Sequence, residues 1–278
     1  MGDNFEELVS DLSSFSVSNE ENCAVSRIDL YKTKTSKQDQ ETRRAKFLER
    51  QKSDRQSSLS ALRNIEEESQ SPEKTNPYKN QLMLSEWLQD KPDDFEENWL
   101  CKFAPVGHRT LIVAHKGRTE SYTKNGYRTA SFPSMLPGGS NATRSSYSLL
   151  DAVWCDTNHT FYILDLICYR AHPVDNSEAE FRFYWGATKF SEDLPGISSE
   201  QRTNRYPMVW LPSVPCAKEN LMKMMAEKQE FEVDGFLFYH KMGHYAAGPT
   251  PLVGWLKPDL LNKVLDLDLD LTSYQMDS

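Results

Sequence analysis

A tryptophan near the end of the chain is the residue whose type and position most suggest ligand chemistry. Trp255 lies in PLVGWLKP, residues 251–258, which reads as a short buried strand ended by a Lys-Pro pair. An indole face stacks on a purine with about 1–3 kcal/mol, and a cationic methylated purine adds a cation–π attraction of about 0.5–2 kcal/mol. The sequence of this strand alone leaves two interpretations of Trp255 open, a stacking surface for a modified guanine and an ordinary core residue.

The histidines and glycine-rich segments give no comparable signal. His240 and His244 are four residues apart, but they flank the end of a predicted strand rather than one face of a helix, so they do not predict a zinc site. The sequence contains no G-x-S-x-G, P-loop or G-x-G-x-x-G motif. The LPGGS segment has two glycines and no following lysine, which is weak support for phosphate binding. We expect no catalytic residue, no metal ion and no cofactor.

The overall composition narrows the class of protein. The 278 residues carry 32 Lys and Arg against 41 Asp and Glu, a net charge of −9 that argues against nonspecific nucleic-acid binding over the whole surface. Five cysteines without a C-x-x-C pair favour free thiols in a reducing compartment. We find no apolar run long enough to span a membrane and no secretory signal.

Residue types divide the chain into two parts. Residues 1–78 contain no tryptophan and are rich in polar and charged residues, so they cannot bury enough apolar surface to offset their ordering entropy. Residues 79–258 contain all six tryptophans. The folded core is therefore expected there, preceded by a disordered or helical segment and followed by an acidic tail.

The first twenty residues carry an apolar pattern. The apolar residues are first three or four positions apart, as on one face of a helix, and the last two are two positions apart, as in an extended chain. Such a segment can insert its side chains into a row of pockets on a partner, and the spacing resembles a leucine-rich nuclear export signal. A weak amphipathic helix that packs on its own domain is the alternative. The residues of the pattern are Phe5, Leu8, Leu12, Phe15 and Val17.

A basic segment follows at residues 27–55, with ten Lys and Arg and five Asp and Glu. From Ser36 onward the pattern predicts a helix, with Arg43, Lys46 and Arg50 along one side. A basic helix without an apolar stripe needs an acidic partner to be stable. A solvated, salt-bridged helix and a nucleic-acid-binding arm remain the alternatives.

The remaining segments predict an α+β domain with a mainly antiparallel sheet. We expect a tight hairpin at Gly107-His108, a turn at Asn125-Gly126, and two strands joined by residues 156–158. Helices are predicted at residues 80–92, from residue 217, and at the start of the tail. The other predicted strands are residues 99–106, 109–116, 181–190, 233–239 and 251–256.

Taken in order, TKNG, ILDL, FRFYW, EVDGFLF and PLVGWLKP resemble the nucleotidyltransferase domain of messenger-RNA capping enzymes and DNA ligases. In that fold a lysine of a K-x-D-G turn attacks the nucleotide, and lysines of a late strand clamp its phosphates. Here the turn, at Lys124, is one residue short and lacks the aspartate, while Gly254 and Leu256 stand where the late lysines would be. The resemblance implies a pocket that binds a guanine nucleotide without transferring it.

Longer motifs resemble one family more closely. NQLMLSEWL, TKNGY, LPGG, EVDGFLFYHK and TPLVGWLKP closely match the snurportin family. This resemblance implies a nuclear import adaptor that binds the 2,2,7-trimethylguanosine cap of spliceosomal U small nuclear RNAs and links the ribonucleoprotein to importin-β. It also implies recycling by a nuclear exportin, hence shuttling between cytoplasm and nucleus, and no membrane partner.

The resemblance also implies roles for particular residues. Trp255 would stack on the cap base, and Leu84, Ser85 and Trp87 would line the guanine edge. Apolar surface there suits the N2 methyl groups, whereas two unpaired N2–H donors would each cost roughly 1–3 kcal/mol. Arg109 and Lys124 would serve the triphosphate or the first nucleotide. The implied importin-β-binding residues are Arg27, Tyr31, Lys32, Arg43, Arg44, Lys46 and Arg50, and the implied exportin-binding residues are those of the N-terminal apolar pattern.

The resulting organisation has five parts: an export-signal-like segment (1–20), an importin-β-binding segment (21–65), a linker (66–78), a cap-binding domain (79–260) and an acidic tail (261–278). The chain departs from the family in a thinner arginine run at ETRRAKFLERQ and in Ala104, which replaces a cysteine. Two other functions remain open, a guanylyltransferase that uses Lys124 and an importin adaptor whose core binds protein cargo.

Overall fold

The computed structural model describes the backbone of residues 37–63 and 77–269 and the side chains of residues 39–54 and 77–269. Several predicted features lie outside these ranges, namely most of the linker and the last residues of the acidic tail. The predicted partner-binding residues that also lie outside are Phe5, Leu8, Leu12, Phe15, Val17, Arg27, Tyr31 and Lys32.

Two β-sheets form the domain. The five-stranded sheet has the order β1 (Met83–Trp87), β12 (Gly248–Leu256), β11 (Val233–His240), β2 (Trp99–Pro105) and β10 (Val214–Pro215). The seven-stranded sheet has the order β5 (Arg128–Phe132), β4 (Arg118–Thr123), β3 (His108–His115), β6 (Tyr147–Cys155), β7 (Thr160–Tyr169) and β8 (His172–Pro173), and β9 (Met208–Trp210) also pairs with β7. Among the described strands, only β1–β12 and β7–β9 pair in parallel, so the prediction of a mainly antiparallel α+β fold is confirmed.

Helices cover the sheets and carry the basic segment. They are α1 (Lys37–Arg63), α2 (Phe95–Asn98), α3 (Ala179–Glu192), α4 (Lys218–Ala226) and α5 (Pro258–Leu265), with a short 3₁₀ turn at Asn141–Thr143. The predicted basic helix, the helix after residue 217 and the short helix after PLVGWLKP are thereby confirmed. None of the helices in the described part of the chain is long and apolar enough to cross a membrane.

The strands β6 and β7 are buried on both faces. Val153 and Leu164 pack in a cluster with Leu237 and Val253 of the five-stranded sheet. Leu150 and Ile163, among others, point to the opposite face, in a cluster that includes Phe190 of α3. Burial on both faces explains why these strands read as nearly continuous apolar runs.

Charged side chains are also buried here. Lys102 of β2 is fully buried, and its Nζ donates to the carbonyl oxygen of Leu164 at 2.6 Å while lying 3.6 Å from the centre of the Phe183 ring. Burial lowers the pKa of Lys102 to about 7, although the nearby carboxylate of Asp165 opposes the shift. Asp165 itself forms a fully buried pair with Arg182, in which Nη2 and Oδ2 are 2.8 Å apart.

The predicted helix at residues 80–92 is wrong. Its central residues Met83–Trp87 form β1, an edge strand that pairs in parallel with β12. The apolar residues Leu82, Met83 and Leu88 are buried, but they are buried by an extended chain. Backbone pairing with β12 therefore overrides a helical spacing that was coincidental.

The predicted strand at residues 181–190 is also wrong, because these residues lie within α3. The buried positions Ala179, Arg182, Phe183, Gly186 and Phe190 follow steps of three and four residues, which is a helical period. The dense aromatic content had suggested a strand, but Gly186 lets the helix approach Trp210, since an added Cβ would lie 2.2 Å from that ring.

The predicted hairpin at Gly107-His108 is the third error, because β2 and β3 belong to different sheets. The chain crosses here from one sheet to the other, and an added Cβ on Gly107 would lie 2.2 Å from the carbonyl oxygen of Trp154. The turn at Asn125-Gly126 and the connection at residues 156–158 are confirmed, since they join β4 to β5 and β6 to β7.

Candidate functional site

Two tryptophans meet on neighbouring strands at the edge of the five-stranded sheet. Trp87 of β1 lies opposite Trp255 of β12 in the parallel register, and the ring centres are 4.5 Å apart with an angle of 71° between the planes. Both side chains are half-buried. This edge-to-face arrangement leaves aromatic surface exposed, so Trp255 is neither sealed in the core nor fully in solvent.

The strands make room for this pair through glycine. Gly235 of β11 lies beside Trp255, and an added Cβ would come within 2.8 Å of the indole Nε1. Gly254 precedes Trp255, where an added Cβ would press on Leu88 at 3.0 Å. Leu256 is fully buried. Gly254 and Leu256, where the resemblance to nucleotidyltransferases would place lysines, therefore face crowded and buried surroundings.

Leu84 and Ser85 lie on the same edge strand, next to Trp87. Both are half-buried. Leu84 packs with a separate cluster that includes Leu82 and Leu111, so part of its apolar surface is already covered. The register of β1 against β12 shifts between Ser85 and Glu86, which places Ser85 and Trp87 on either side of an irregularity.

Arg109 is held in place by a buried carboxylate. Its Nη2 donates to Asp151 Oδ2 at 2.7 Å and to the carbonyl oxygen of Met83 at 3.1 Å. Tyr245 completes the group, because its hydroxyl donates to Asp151 Oδ2 at 2.7 Å and accepts from the Met83 amide at 3.0 Å. Burial alone would lower the pKa of Arg109, but the facing carboxylate of Asp151 outweighs it and raises that pKa. Arg109 therefore ties β3 to β1 with its charge largely neutralised.

Lys124 is placed differently. It follows β4, its side chain is exposed, and its backbone carbonyl accepts a hydrogen bond from the amide of Asn80 at 2.9 Å. Within residues 39–54 and 77–269 no carboxylate forms an ion pair with it. Of the two predicted phosphate-binding cations, Lys124 is thus the one whose charge is available to a ligand.

The helix α1 contacts this edge strand. Arg43 Nη1 donates to Glu86 Oε2 at 2.9 Å, and Gln40 Nε2 donates to the carbonyl oxygen of Trp87 at 2.9 Å. Arg44 is buried, with its Nε donating to the carbonyl oxygen of Pro251 at 3.3 Å and its guanidinium 5.1 Å from the centre of the Trp99 ring. The acidic partner that the basic helix needs is therefore Glu86 of the same chain.

The helix divides its cations between two surroundings. The hydrogen bonds that Arg43 donates to Glu86 raise the pKa of Arg43, whereas burial lowers the pKa of Arg44. Lys46 and Arg50 are exposed, and Arg50 pairs with Asp54 of the same helix at 3.7 Å. The predicted importin-β-binding cations on α1 thus comprise two that contact the domain and two that point to solvent.

Sequence reasoning missed the group that joins β1 to the seven-stranded sheet. Asp151 is fully buried in the apolar run SLLDAVW, and a lone acid inside such a run was the signal that could have found it. Gln40 carried no such signal. His240, considered for a zinc site, is buried and lies 3.4 Å from Asp94, and within the described ranges no three potential ligands are close enough to hold a metal ion.

Solved structures with a similar arrangement of strands include a crystal structure of the ligase domain of LigD from M. tuberculosis, with a TM-score of 0.42 and 10% identity. They also include mycobacterial DNA ligase D complexed with ATP and MES, with a TM-score of 0.43 and 12% identity. Each comparison covers 65% of this chain, and the chain spans 59% and 60% of the length of those two proteins.

Family comparison gives a more specific result. A family model described as Snurportin1, m3G cap-binding domain matches residues 81–258, which contain Trp87 and Trp255. A second model, described as Snurportin1, matches residues 26–64, which contain α1. Because the first match alone spans well over half of the 278 residues, the chain belongs to the snurportin family.

Proposed function

We propose that this protein carries trimethylguanosine-capped small nuclear RNA to importin-β, with Trp255 and its neighbours binding the cap. Membership of the snurportin family supports both halves of this function, because the two family models cover the β-sheet domain and the basic helix. The observation that carries the residue-level proposal is the half-exposed Trp87–Trp255 pair at the edge of the five-stranded sheet.

In this proposal the cap base stacks on the indole of Trp255. The cationic 7-methylguanine gains both stacking and cation–π attraction from the ring face, together about 1.5–5 kcal/mol. Trp87 and the remaining exposed part of Leu84 present apolar surface to the N2 methyl groups, and Ser85 lies between them. A base with free N2–H donors would lose hydrogen bonds to water on entering this surface, so dimethylation at N2 is favoured.

The phosphates and the first nucleotide would be contacted by Lys124. Its exposed ammonium has a flexible stem and is free to follow a triphosphate. Arg109 acts indirectly, because its guanidinium is committed to Asp151 and to the Met83 carbonyl. We assign Arg109 to positioning β1, the strand that carries Leu84, Ser85 and Trp87.

The import half of the function rests on α1 and the residues before it. Lys46 and Arg50 point to solvent and offer cations to an acidic receptor without any rearrangement. Arg43 and Arg44 become available when α1 leaves the domain, and Arg27, Tyr31 and Lys32 extend the same segment. The segment spans residues 21–65, residues 66–78 link it to the cap-binding domain of 79–260, and residues 261–278 form the tail.

Recycling is the least constrained part of the proposal. The apolar spacing of Phe5, Leu8, Leu12, Phe15 and Val17 fits a nuclear exportin, which would return the protein to the cytoplasm after release of its RNA. Protein cargo and nucleotide transfer are less favoured functions. Gly254 and Leu256 provide no phosphate-binding cations, and the turn at Lys124 lacks the aspartate of nucleotidyltransferases.

The proposed cap preference is tested by titration of the full chain with three dinucleotides that end in trimethylguanosine, 7-methylguanosine and unmethylated guanosine. Quenching of tryptophan fluorescence reports binding. We expect the trimethylated dinucleotide to bind at least about tenfold more tightly than the monomethylated one, from the loss of two N2–H hydrogen bonds. Equal and weak binding of all three would instead favour a core that binds protein cargo.

A further inference from the structure

A concave surface lies on the face of the seven-stranded sheet that points away from the five-stranded sheet and from Trp255. It is a cleft of about 750 Å³ at the end of the sheet where β3 begins and β4 ends, and it includes His108, Thr123, Lys124, Thr129, Trp154 and Tyr206. Thr110 of β3 also faces it, whereas the next residue, Leu111, packs on the opposite face of the sheet. We refer to this surface as the outer cleft.

The outer cleft has aromatic walls. Trp154 and Tyr206 are half-buried, and their ring centres are 5.2 Å apart with an angle of 77° between the planes. Phe161 lies beneath both rings and is almost fully buried. Both outer rings contact Phe161, and the His159 ring also stacks on Trp154 with the ring centres 5.9 Å apart. The half-exposed remainder of each ring is the aromatic surface on which an unpaired base can stack.

The polar groups of the outer cleft are cations and hydroxyls. Lys124 reaches it from the β4–β5 turn, and the guanidinium of Arg205 lies 5.5 Å from the centre of the Tyr206 ring. The one carboxylate there among the described residues, Asp156, accepts from Trp154 Nε1 at 2.7 Å and lies 3.1 Å from His108 Nε2. Its negative charge is thus partly countered by groups of the same surface. Hydroxyls such as that of Thr123, which accepts from the Tyr127 amide at 3.2 Å, suit ribose and phosphate oxygens.

The location of the outer cleft connects it with the cap. Lys124 borders it, and Lys124 is the cation that the proposed function assigns to the cap phosphates and the first nucleotide. An RNA chain that leaves Trp255 and passes Lys124 would therefore arrive at this surface.

From this geometry we infer that the outer cleft binds unpaired nucleotides that follow the cap dinucleotide of the same RNA, with Trp154 and Tyr206 as stacking surfaces and Lys124 as the cation at its entrance. The inference rests on the proposed function, since it places the RNA by its cap. It adds a second site on the opposite face of the sheet from Trp255.

The experiment compares a trimethylguanosine-capped dinucleotide with a capped tetranucleotide on the full chain. One or two additional stacked bases predict that the tetranucleotide binds at least about fivefold more tightly. Thr129 is exposed on the wall of the cleft, so Thr129→Glu adds a negative charge there. It also removes the hydrogen bonds of the Thr129 hydroxyl with Ser121, a loss that the neutral control variant shares. We expect Thr129→Glu to remove the additional affinity of the tetranucleotide and to leave the dinucleotide affinity unchanged. The neutral variant Thr129→Gln, of matched size, should retain the additional affinity.

The outcomes separate this inference from the proposed function. If the dinucleotide does not bind, the proposed cap site fails. If both RNAs bind equally, or if Thr129→Glu and Thr129→Gln weaken the tetranucleotide equally, the outer cleft does not hold the RNA and the inference fails alone. A tetranucleotide with 4-thiouridine at its third position should crosslink to the peptides that contain Trp154 or Tyr206, and crosslinks confined to the five-stranded sheet would also overturn the inference.

Discussion

At the scale of single residues, we propose that cap affinity depends on the indole of Trp255. Gly235 leaves room for the ring, and Trp87 supports it edge-on. Replacing Trp255 with alanine removes stacking of about 1–3 kcal/mol and a cation–π attraction of about 0.5–2 kcal/mol, so we expect the affinity for a trimethylated cap dinucleotide to fall at least about tenfold. Calorimetric titration measures the change.

The matched control for this variant is Trp255→Phe, which keeps an aromatic face. It should recover most of the lost affinity, and the thermal unfolding temperature of both variants shows whether the domain remains folded. An alanine variant that is folded and binds the cap as tightly as the unchanged protein would contradict the stacking role.

Lys102 gives a prediction about stability and pH. Its pKa of about 7 in the folded chain lies below its ordinary value of 10.5, so between these pH values the unfolded state binds more protons than the folded state. The free energy of unfolding should therefore rise as the pH increases above 7, by at most about 1.4 kcal/mol per pH unit. We expect Lys102→Met to stabilise the domain at pH 6 and to reduce this rise.

Urea unfolding midpoints measured from pH 6 to pH 9 test the Lys102 prediction. Lys223→Met is the control, because Lys223 is an exposed lysine on α4 whose removal should leave the pH profile unchanged. If Lys102→Met and the unchanged protein have parallel profiles, the buried amine does not cause the pH dependence.

Residue types near Trp255 were largely predictable, whereas their working partners were not. Trp255, Trp87 and Ser85 were singled out as candidates because their motifs are long and distinctive. The commitment of Arg109 to Asp151 depends on a contact between residues 42 positions apart, which no local pattern encodes. The burial of Lys102 was equally unpredictable, because its ammonium group contacts the carbonyl of Leu164, 62 positions away on a strand of the other sheet.

At the scale of elements, the position of α1 decides how the import segment is presented. Arg43 pairs with Glu86, and both side chains are partly buried. Glu86→Gln weakens this ion pair and should loosen α1, so that importin-β binds roughly two- to fivefold more tightly. Surface plasmon resonance with immobilised importin-β measures the affinity, and hydrogen exchange of α1 amides should accelerate in parallel.

Glu96→Gln is the control for this prediction, since Glu96 is exposed and pairs with Lys91 rather than with α1. It should leave importin-β affinity unchanged. Slower exchange of α1 amides in Glu86→Gln, or weaker binding of importin-β, would show that Glu86 does not restrain the helix.

Elements were predicted well where local signals agreed with the tertiary environment. The helix α4 has a clear amphipathic period, the helix α1 has a clear start signal at Ser36, and the strands β11 and β12 are compact apolar runs. The strand β1 was predicted wrongly because its extended conformation depends on backbone hydrogen bonds with β12, which the local sequence does not show. The helix α3 was predicted wrongly because the aromatic residues of FRFYW suit either a strand or a helix. Only the three-dimensional partners distinguish these alternatives.

At the scale of the whole molecule, the two binding functions should be separable by surface charge. Lys46 and Arg50 are exposed on α1, so reversing both to glutamate should abolish importin-β binding without disturbing the contacts of Gln40, Arg43 and Arg44 with the domain. Cap affinity should change by less than about twofold, because these exposed side chains act locally. Calorimetry with the cap dinucleotide and a pull-down with importin-β measure the two effects.

The control carries the same change of charge elsewhere, as Lys223→Glu with Lys228→Glu. This protein should bind both partners normally. Loss of cap affinity in both double variants would mean that total charge, rather than the position of the cations on α1, controls binding.

The edge strand β1 has a thermodynamic consequence for how cargo is loaded. In the proposed function it presents Ser85 and Trp87 to the cap, and in the structure it holds α1 through Glu86 and the carbonyl of Trp87. Cap binding and the release of α1 from the domain can therefore be coupled through β1. The coupling is reciprocal, because a bound cap changes the equilibrium for helix release by the same factor by which helix release changes the affinity for the cap. If cap binding changes the affinity of importin-β for α1 by some factor, importin-β binding changes the affinity for the cap by the same factor. The factor can therefore be measured in either of two ways, as importin-β affinity with and without the cap or as cap affinity with and without importin-β.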